Sequence, residues 1–92
     1  MIRSFGDKKT ERLFSGDSVR EFSGIRHVAE RKLTMLDGAA YLKDLLAPPG
    51  NRLEKLKGDR TGQHSIRVND QWRICFVWRA DGPHEVEITD YH

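Results

Sequence analysis

Residues 56–78, LKGDRTGQHSIRVNDQWRICFVW, contain the two runs that decide the fold. Apolar and polar residues alternate on both sides of residues 69–71, a pattern typical of half-buried strands joined by a hairpin. A two-residue loop would mix apolar and polar side chains on each face of the hairpin. A three-residue loop gives one apolar face, because residues directly opposite each other point to the same side. We therefore predict the three-residue loop, which pairs Val68 with Trp72, Ile66 with Ile74, and Arg67 with Arg73.

The predicted pairing sets Arg67 directly beside Arg73 on the polar face. Like charges placed opposite each other destabilise a sheet, so the pair needs an explanation. One explanation is a bound anion, and a phosphate fits best because the planar guanidinium binds phosphate as a fork. The alternative is that both arginines are solvated surface residues. The arginine pair by itself leaves both explanations open.

Length and composition limit the class of protein. We expect one domain spanning residues 1–92, with helices and strands sharing a modest core. A single cysteine, Cys75, excludes an internal disulfide and a multi-cysteine metal site. No apolar run approaches the ~20 residues that span a bilayer, and residues 1–5 lack a signal-peptide core. We therefore expect a cytoplasmic protein that does not associate with a membrane. A net charge of +2 is too small to identify a nucleic-acid-binding protein.

The first half of the chain predicts a strand followed by helices. Residues 1–5 are a strand candidate, and residues 8–15 are a helix that Asp7 can cap. Residues 16–23 are polar and predict a loop. A helical stripe then runs toward Gly38, with Ser23 as the expected cap and the stem of Lys32 as its only polar member. The apolar members of the stripe are Ile25, Val28, Ala29, Leu33 and Leu36.

The second half predicts a four-stranded antiparallel meander. A strand is expected over residues 53–57, and if Leu56 points inward, Lys55 and Lys57 point outward onto the arginine face. The two hairpin strands follow, and the last strand covers residues 84–91. The fold class is therefore α+β, with two to three helices packed on one face of an antiparallel sheet. The other face is expected to be open and to present Lys57, Arg67, Arg73, Glu87, Thr89 and Tyr91, with His92 at its corner.

None of the four histidines has the spacing of a zinc site, so a metal is not expected. His64 alternates in phase with Ile66 and is expected at the edge of the core. The terminal His92 is either an idle chain end or a proton carrier with a pKa near neutrality. A ribonuclease without a metal needs a base, an acid and cations for the phosphate. The Lys, Arg, Tyr and His side chains of the polar face can supply all three.

The residues also carry a resemblance to a known family. The segments at residues 56–60, 65–69 and 72–76, closing with Asp-Tyr-His at 90–92, resemble the HigB toxins of the RelE/ParE toxin superfamily. The resemblance implies a RelE-like microbial RNase fold and a toxin of a type II toxin–antitoxin system. It implies a ribosome-dependent endoribonuclease, or mRNA interferase, that cuts mRNA in the decoding site and inhibits translation. The implied partners are the ribosome, mRNA and a HigA-like helix-turn-helix antitoxin, with operator DNA bound only through the antitoxin; no cofactor is implied.

Site residues follow from the resemblance, position by position. It implies that Arg67 and Arg73 contact the scissile phosphate, and that Lys57 and the turn residue Asn69 lie near the RNA. The implied functional tail is Asp90, Tyr91 and His92. This chain departs from the family at one position, because Glu54 stands where some HigB toxins have a histidine.

Two other functions remain open at this point. The same fold occurs in ParE-like toxins that inhibit DNA gyrase without catalysis, and a plain RNA-binding module is a third possibility. The terminal Tyr91 and His92 favour the enzyme, since an inhibitor does not need proton-transferring groups at its end.

Overall fold

The computed structural model describes residues 1–90, so the expectations for Tyr91 and His92 lie outside the described residues. Two helices come first, α1 (Lys8–Phe14) and α2 (Arg26–Gly38). Four strands follow, β1 (Glu54–Lys55), β2 (His64–Arg67), β3 (Trp72–Arg79) and β4 (Gly82–Asp90). Short 3₁₀ helices lie at Arg20–Ile25, Leu42–Leu46, Pro49–Asn51 and Gly58–Arg60.

The strands form one antiparallel sheet in the order β1-β2-β3-β4. Arg67 lies opposite Arg73 and Ile66 opposite Ile74, which confirms the three-residue loop. The loop is closed by a hydrogen bond of 2.9 Å from the Val68 amide to the Trp72 carbonyl.

The apolar stripe of α2 packs against the inner face of the sheet, as predicted. The buried members of this core include Ile25, Ala29, Leu33 and Leu36 from the helical side and Ile66, Ile74, Phe76, Val86 and Ile88 from the strands. Val28 packs against it partly buried. Lys32 is also buried, and its ammonium group donates a hydrogen bond to the amide oxygen of Asn51. This bond ties α2 to the Pro49–Asn51 turn that precedes β1.

The helix starts agree with prediction at α1 and differ at α2. The Asp7 carboxylate accepts a hydrogen bond of 2.9 Å from the Thr10 amide, which confirms the cap of α1. The predicted cap at Ser23 is wrong, because the Arg20–Ile25 3₁₀ helix occupies part of the predicted loop and runs directly into α2. The residue before α2 is Ile25, which provides no side-chain cap.

The predicted N-terminal strand is reduced to one parallel bridge beside β4, between Phe5 and Val86. Hydrogen bonds from the Arg3 amide to the Pro83 carbonyl (2.9 Å) and from the Gly6 amide to the Val86 carbonyl (2.8 Å) hold the segment there. The β3–β4 ladder is irregular at this level, with a register shift between Cys75 and Val77. Along residues 1–5 only this single bridge is formed, in place of a regular ladder.

Candidate functional site on the outer face of the sheet

The register of β1 differs from the prediction by one residue. Glu54 lies opposite Ser65, and Lys55 lies opposite His64. A shift of one residue moves every side chain to the other face, so Glu54 joins the arginine face and Lys55 faces the helix side. The prediction that Lys55 points toward the arginines is therefore wrong.

Strand β1 is also shorter than the predicted 53–57. Leu56 is buried as expected, and its amide still bonds the Gln63 carbonyl at 2.9 Å. Lys57 follows the strand as an exposed residue beside the Gly58–Arg60 helix.

Arg73 is buried, contrary to the prediction of an exposed arginine pair. Its guanidinium donates hydrogen bonds to the Ser65 hydroxyl at 2.8 Å and to the Arg52 carbonyl at 2.7 Å. The Glu54 carboxylate lies 3.7 Å from the same guanidinium. These neighbours cover Arg73 because the turn before β1 folds over the end of the ladder, which sequence alternation cannot reveal. Arg73 therefore holds the turn, β1 and β2 together.

Arg67 is the more accessible arginine of the pair. Its guanidinium lies 2.5 Å from the carboxylate of Asp70, which is fully exposed in the hairpin loop. This hydrogen bond and the charge of Arg67, followed by the charge of Arg52, hold the pKa of Asp70 below its usual value. Arg67 thus already binds an exposed anionic group at the surface of the sheet.

Positive charge accumulates beside Arg67. Burial lowers the pKa of Lys32, and the nearby charges of Arg31 and Arg67 lower it further. Arg52 is exposed and acts on the same Asp70 as Arg67. The charge of Arg67 thus acts on both the buried Lys32 and the exposed Asp70, together with Arg31 at the first group and Arg52 at the second. Sequence reasoning missed Arg52, whose carbonyl accepts a hydrogen bond from Arg73, since Arg52 lies in a turn that no strand alternation reaches.

The remainder of the outer face is covered by Arg60. Its guanidinium lies 2.6 Å from the Glu87 carboxylate, 3.0 Å from the Gln63 side chain and 3.5 Å from the Thr89 hydroxyl. Glu87 and Thr89 lie on the outer face as predicted, but this part of the face is not open, because Arg60 covers them in part. Arg60 lies in a glycine-bounded loop whose sequence has no periodicity, so no signal placed it over the sheet.

Asn69 and Asp90 lie apart from the arginine face. The Asn69 side-chain oxygen accepts hydrogen bonds of 2.8 Å from the amides of Gln71 and Trp72, so it closes the hairpin turn. Asp90 lies opposite Trp72, which places it on the helix side of the sheet, and it accepts a hydrogen bond of 3.0 Å from Gln71. The structure therefore brings Arg67 together with Arg73, but not with Asp90.

An open cavity of about 330 Å³ lies beside this turn. It is lined by Glu21, Gly24, Ile25, Asn69, Gln71 and Trp72. Within residues 1–90, no group of three or more His, Cys, Asp and Glu side chains is arranged to hold a metal ion. Over the same range, no helix has the length and apolar character needed to cross a membrane.

Comparisons with known proteins agree with this architecture. The chain is 43% identical over 84 residues to Toxin HigB-1 of Vibrio cholerae, covering 89% of this chain and 87% of that protein. It is 33% identical, over the full length of both chains, to Endoribonuclease HigB of Proteus vulgaris. Its fold is similar to that of a chain in the YoeB–YefM complex from Staphylococcus aureus, with a TM-score of 0.61, 19% identity, and coverage of 100% of this chain and 95% of that one. Residues 3–92 match the family described as the RelE-like toxin of the type II toxin–antitoxin system HigB, and the chain belongs to this family.

Proposed function

We propose that this HigB-family toxin is an endoribonuclease that cuts mRNA in the decoding site of the ribosome, in the cytoplasm. Family membership and the relative named as an endoribonuclease support the enzyme class. The observation that carries the proposal is the accessible Arg67 beside the buried Arg73, since it offers a rigidly held cationic site for a phosphate.

The reaction is an internal phosphoryl transfer. The 2′-hydroxyl oxygen attacks the adjacent phosphorus, the bond from phosphorus to the 5′-oxygen breaks, and the products are a 2′,3′-cyclic phosphate and a free 5′-hydroxyl. Negative charge grows on the phosphate oxygens during attack, and Arg67 stabilises it. Arg73 contributes positive charge from its buried position next to Arg67. It also holds the backbone around the site through its hydrogen bonds to Ser65 and Arg52.

Two proton transfers are needed, one from the 2′-hydroxyl and one to the leaving 5′-oxygen. The exposed Glu54 carboxylate, 3.7 Å from Arg73 and on the same face, can accept the first proton. Tyr91 and His92 are the proposed source of the second. Asp90, bonded to Gln71, positions the end of β4 from which this tail continues.

The remaining contacts concern binding of the RNA and of a partner. Lys57 is exposed beyond β1 and is proposed to bind the RNA backbone. The side-chain oxygen of Asn69 is used within the turn, so its amide nitrogen is the group proposed to reach RNA. A HigA-like helix-turn-helix antitoxin is proposed to neutralise the toxin, with operator DNA bound only by the antitoxin.

The experiment compares two targets, mRNA in cells that express the chain and DNA gyrase in a purified assay. New mRNA 5′ ends are mapped by sequencing, and gyrase supercoiling is assayed with the purified protein. We expect new 5′-hydroxyl ends within codons and normal gyrase activity. Gyrase inhibition without new mRNA ends would replace this proposal with the ParE-like function.

A further inference from the structure

The turn before β1 contains a backbone conformation that most side chains avoid. Arg52 has φ 45° and ψ 56°, which is the left-handed region. Glycine occupies this region readily because it has no Cβ to approach the following carbonyl, and asparagine does so because its short polar side chain can hydrogen-bond to the local backbone. Such outliers persist where the surrounding structure holds them, and they concentrate at functional sites.

The backbone of Arg52 is held from two sides. Before it, the buried Asn51 side chain donates hydrogen bonds of 3.1 and 3.3 Å to the backbone carbonyls of Leu45 and Ala47 and accepts one from Lys32 of α2. After it, Arg73 donates 2.7 Å to the Arg52 carbonyl. The left-handed turn is therefore fixed by α2 on one side and by the sheet on the other.

The side chain of Arg52, in contrast, takes no part in the fold. It is exposed, and across residues 1–90 its guanidinium has no hydrogen-bond or ion-pair partner. Its backbone carbonyl lies 2.7 Å from the guanidinium of Arg73, the residue paired with Arg67 in the sheet, and its charge helps to hold the pKa of Asp70 below its usual value. The backbone of Arg52 is therefore fixed next to the Arg67–Arg73 pair, while its exposed side chain makes no hydrogen bond or ion pair within the described chain.

We propose that Arg52 binds a backbone phosphate of the mRNA next to the scissile one, and that Asn51 and Lys32 are the residues that position it. This inference rests on the proposed endoribonuclease function. Arginine suits the role because its fork binds phosphate through two parallel hydrogen bonds. The Asp70 carboxylate is the internal anion that RNA replaces, and an exposed ion pair of this kind is weak enough to be exchanged.

The test compares Arg52→Asn and Arg52→Lys with the unchanged toxin. Single-turnover cleavage of mRNA on programmed ribosomes is measured at several toxin concentrations and several KCl concentrations, at fixed Mg²⁺. One phosphate contact changes the slope of log affinity against log salt by about 0.7 for single-stranded nucleic acid. Affinity is taken from the half-saturating toxin concentration. We expect the magnitude of its slope against log salt to decrease by about 0.7 in Arg52→Asn and to stay near the parental value in Arg52→Lys. Arg79→Gln removes a matched exposed arginine from the far end of β3 and should leave the slope unchanged.

Stability separates a binding role from a structural one. Asparagine accepts the left-handed region, so Arg52→Asn should melt at or above the temperature of the unchanged toxin. A lower melting temperature for Arg52→Asn would mean that the Arg52 side chain supports the fold. An unchanged salt slope would mean that this side chain does not contact a phosphate. Either result overturns the inference. If the unchanged toxin cuts no ribosome-bound mRNA, the proposed function itself fails. If it cuts and Arg52→Asn behaves identically, only the role of Arg52 fails.

Discussion

Arg67 and Arg73 lie directly opposite each other in the ladder between β2 and β3, yet the Arg67 side chain is 30% exposed and the Arg73 side chain only 9%. The difference arises because the Arg52 carbonyl and Glu54 lie over Arg73, whereas Arg67 is next to the hairpin loop. Two residues of one type on one face therefore have different roles. Arg67 can contact a ligand, and Arg73 holds the turn before β1 against the sheet.

Replacing each arginine with alanine should separate these roles. Arg67→Ala should change the free energy of unfolding by about 0.5 kcal/mol or less, because exposed ion pairs contribute little. Arg73→Ala should lower it by about 1.5–3 kcal/mol, because the charged hydrogen bonds to Ser65 and Arg52 are lost. Chemical denaturation of both variants tests this. Equal stability of the two would show that the burial of Arg73 has no energetic consequence.

The core prediction concerns the helical stripe of α2. Leu36 is fully buried, so Leu36→Ala should lower the free energy of unfolding by about 2–5 kcal/mol. Leu46→Ala is the matched control, since Leu46 is 63% exposed and should change stability by about 0.5 kcal/mol or less. Urea denaturation of both variants measures the free energy of unfolding. A loss below about 1 kcal/mol for Leu36→Ala would show that the stripe is not part of the core.

His64 should make stability depend on pH. Its ring stacks on Phe76 with centroids 6.3 Å apart, and its buried Nδ1 has no hydrogen-bond partner among residues 1–90. Burial, with a smaller contribution from the charge of Lys55, lowers the pKa of His64 below 6.5. The unfolded chain therefore binds the proton first, and stability should fall as the pH drops from about 6.5 toward the folded pKa, by at most about 1.4 kcal/mol per pH unit.

Denaturation between about pH 5 and 8 measures this dependence. His64→Gln should flatten the curve over this window, while the exposed His27→Gln should preserve it. A His64→Gln variant with the parental pH profile would assign the dependence to other groups.

Much of the fold followed from the sequence, because alternation and helical spacing report directly on burial. The pairing of Arg67 with Arg73, the meander and the apolar stripe of α2 were all predicted correctly. The register of β1 was not, since a two-residue strand contains too little alternation to fix its phase. The cover over Arg73 and the position of Arg60 depend on loop conformations, which have no sequence period.

The tail remains a prediction, because Tyr91 and His92 lie outside the described residues. Deleting both should reduce cleavage by about 10²–10⁴-fold, the usual contribution of general acid–base catalysis. The melting temperature should change little, since terminal residues contribute little packing. Tyr91→Phe and His92→Gln would identify which group transfers the proton. A deletion variant that cuts at the parental rate would make the tail dispensable for catalysis.

The central claim is that this chain cuts mRNA on the ribosome through the anion site at Arg67. The most direct measurement is single-turnover cleavage of one mRNA, naked and on programmed ribosomes, with the 5′ ends identified. We predict fast cleavage with a 5′-hydroxyl end in the decoding-site codon on ribosomes and slow cleavage of naked RNA, because orientation by the ribosome can account for about 7–11 kcal/mol of the barrier. Arg67→Ala should slow the ribosomal reaction by about 10²–10³-fold. No cleavage on programmed ribosomes, or parental cleavage by Arg67→Ala, would contradict the account.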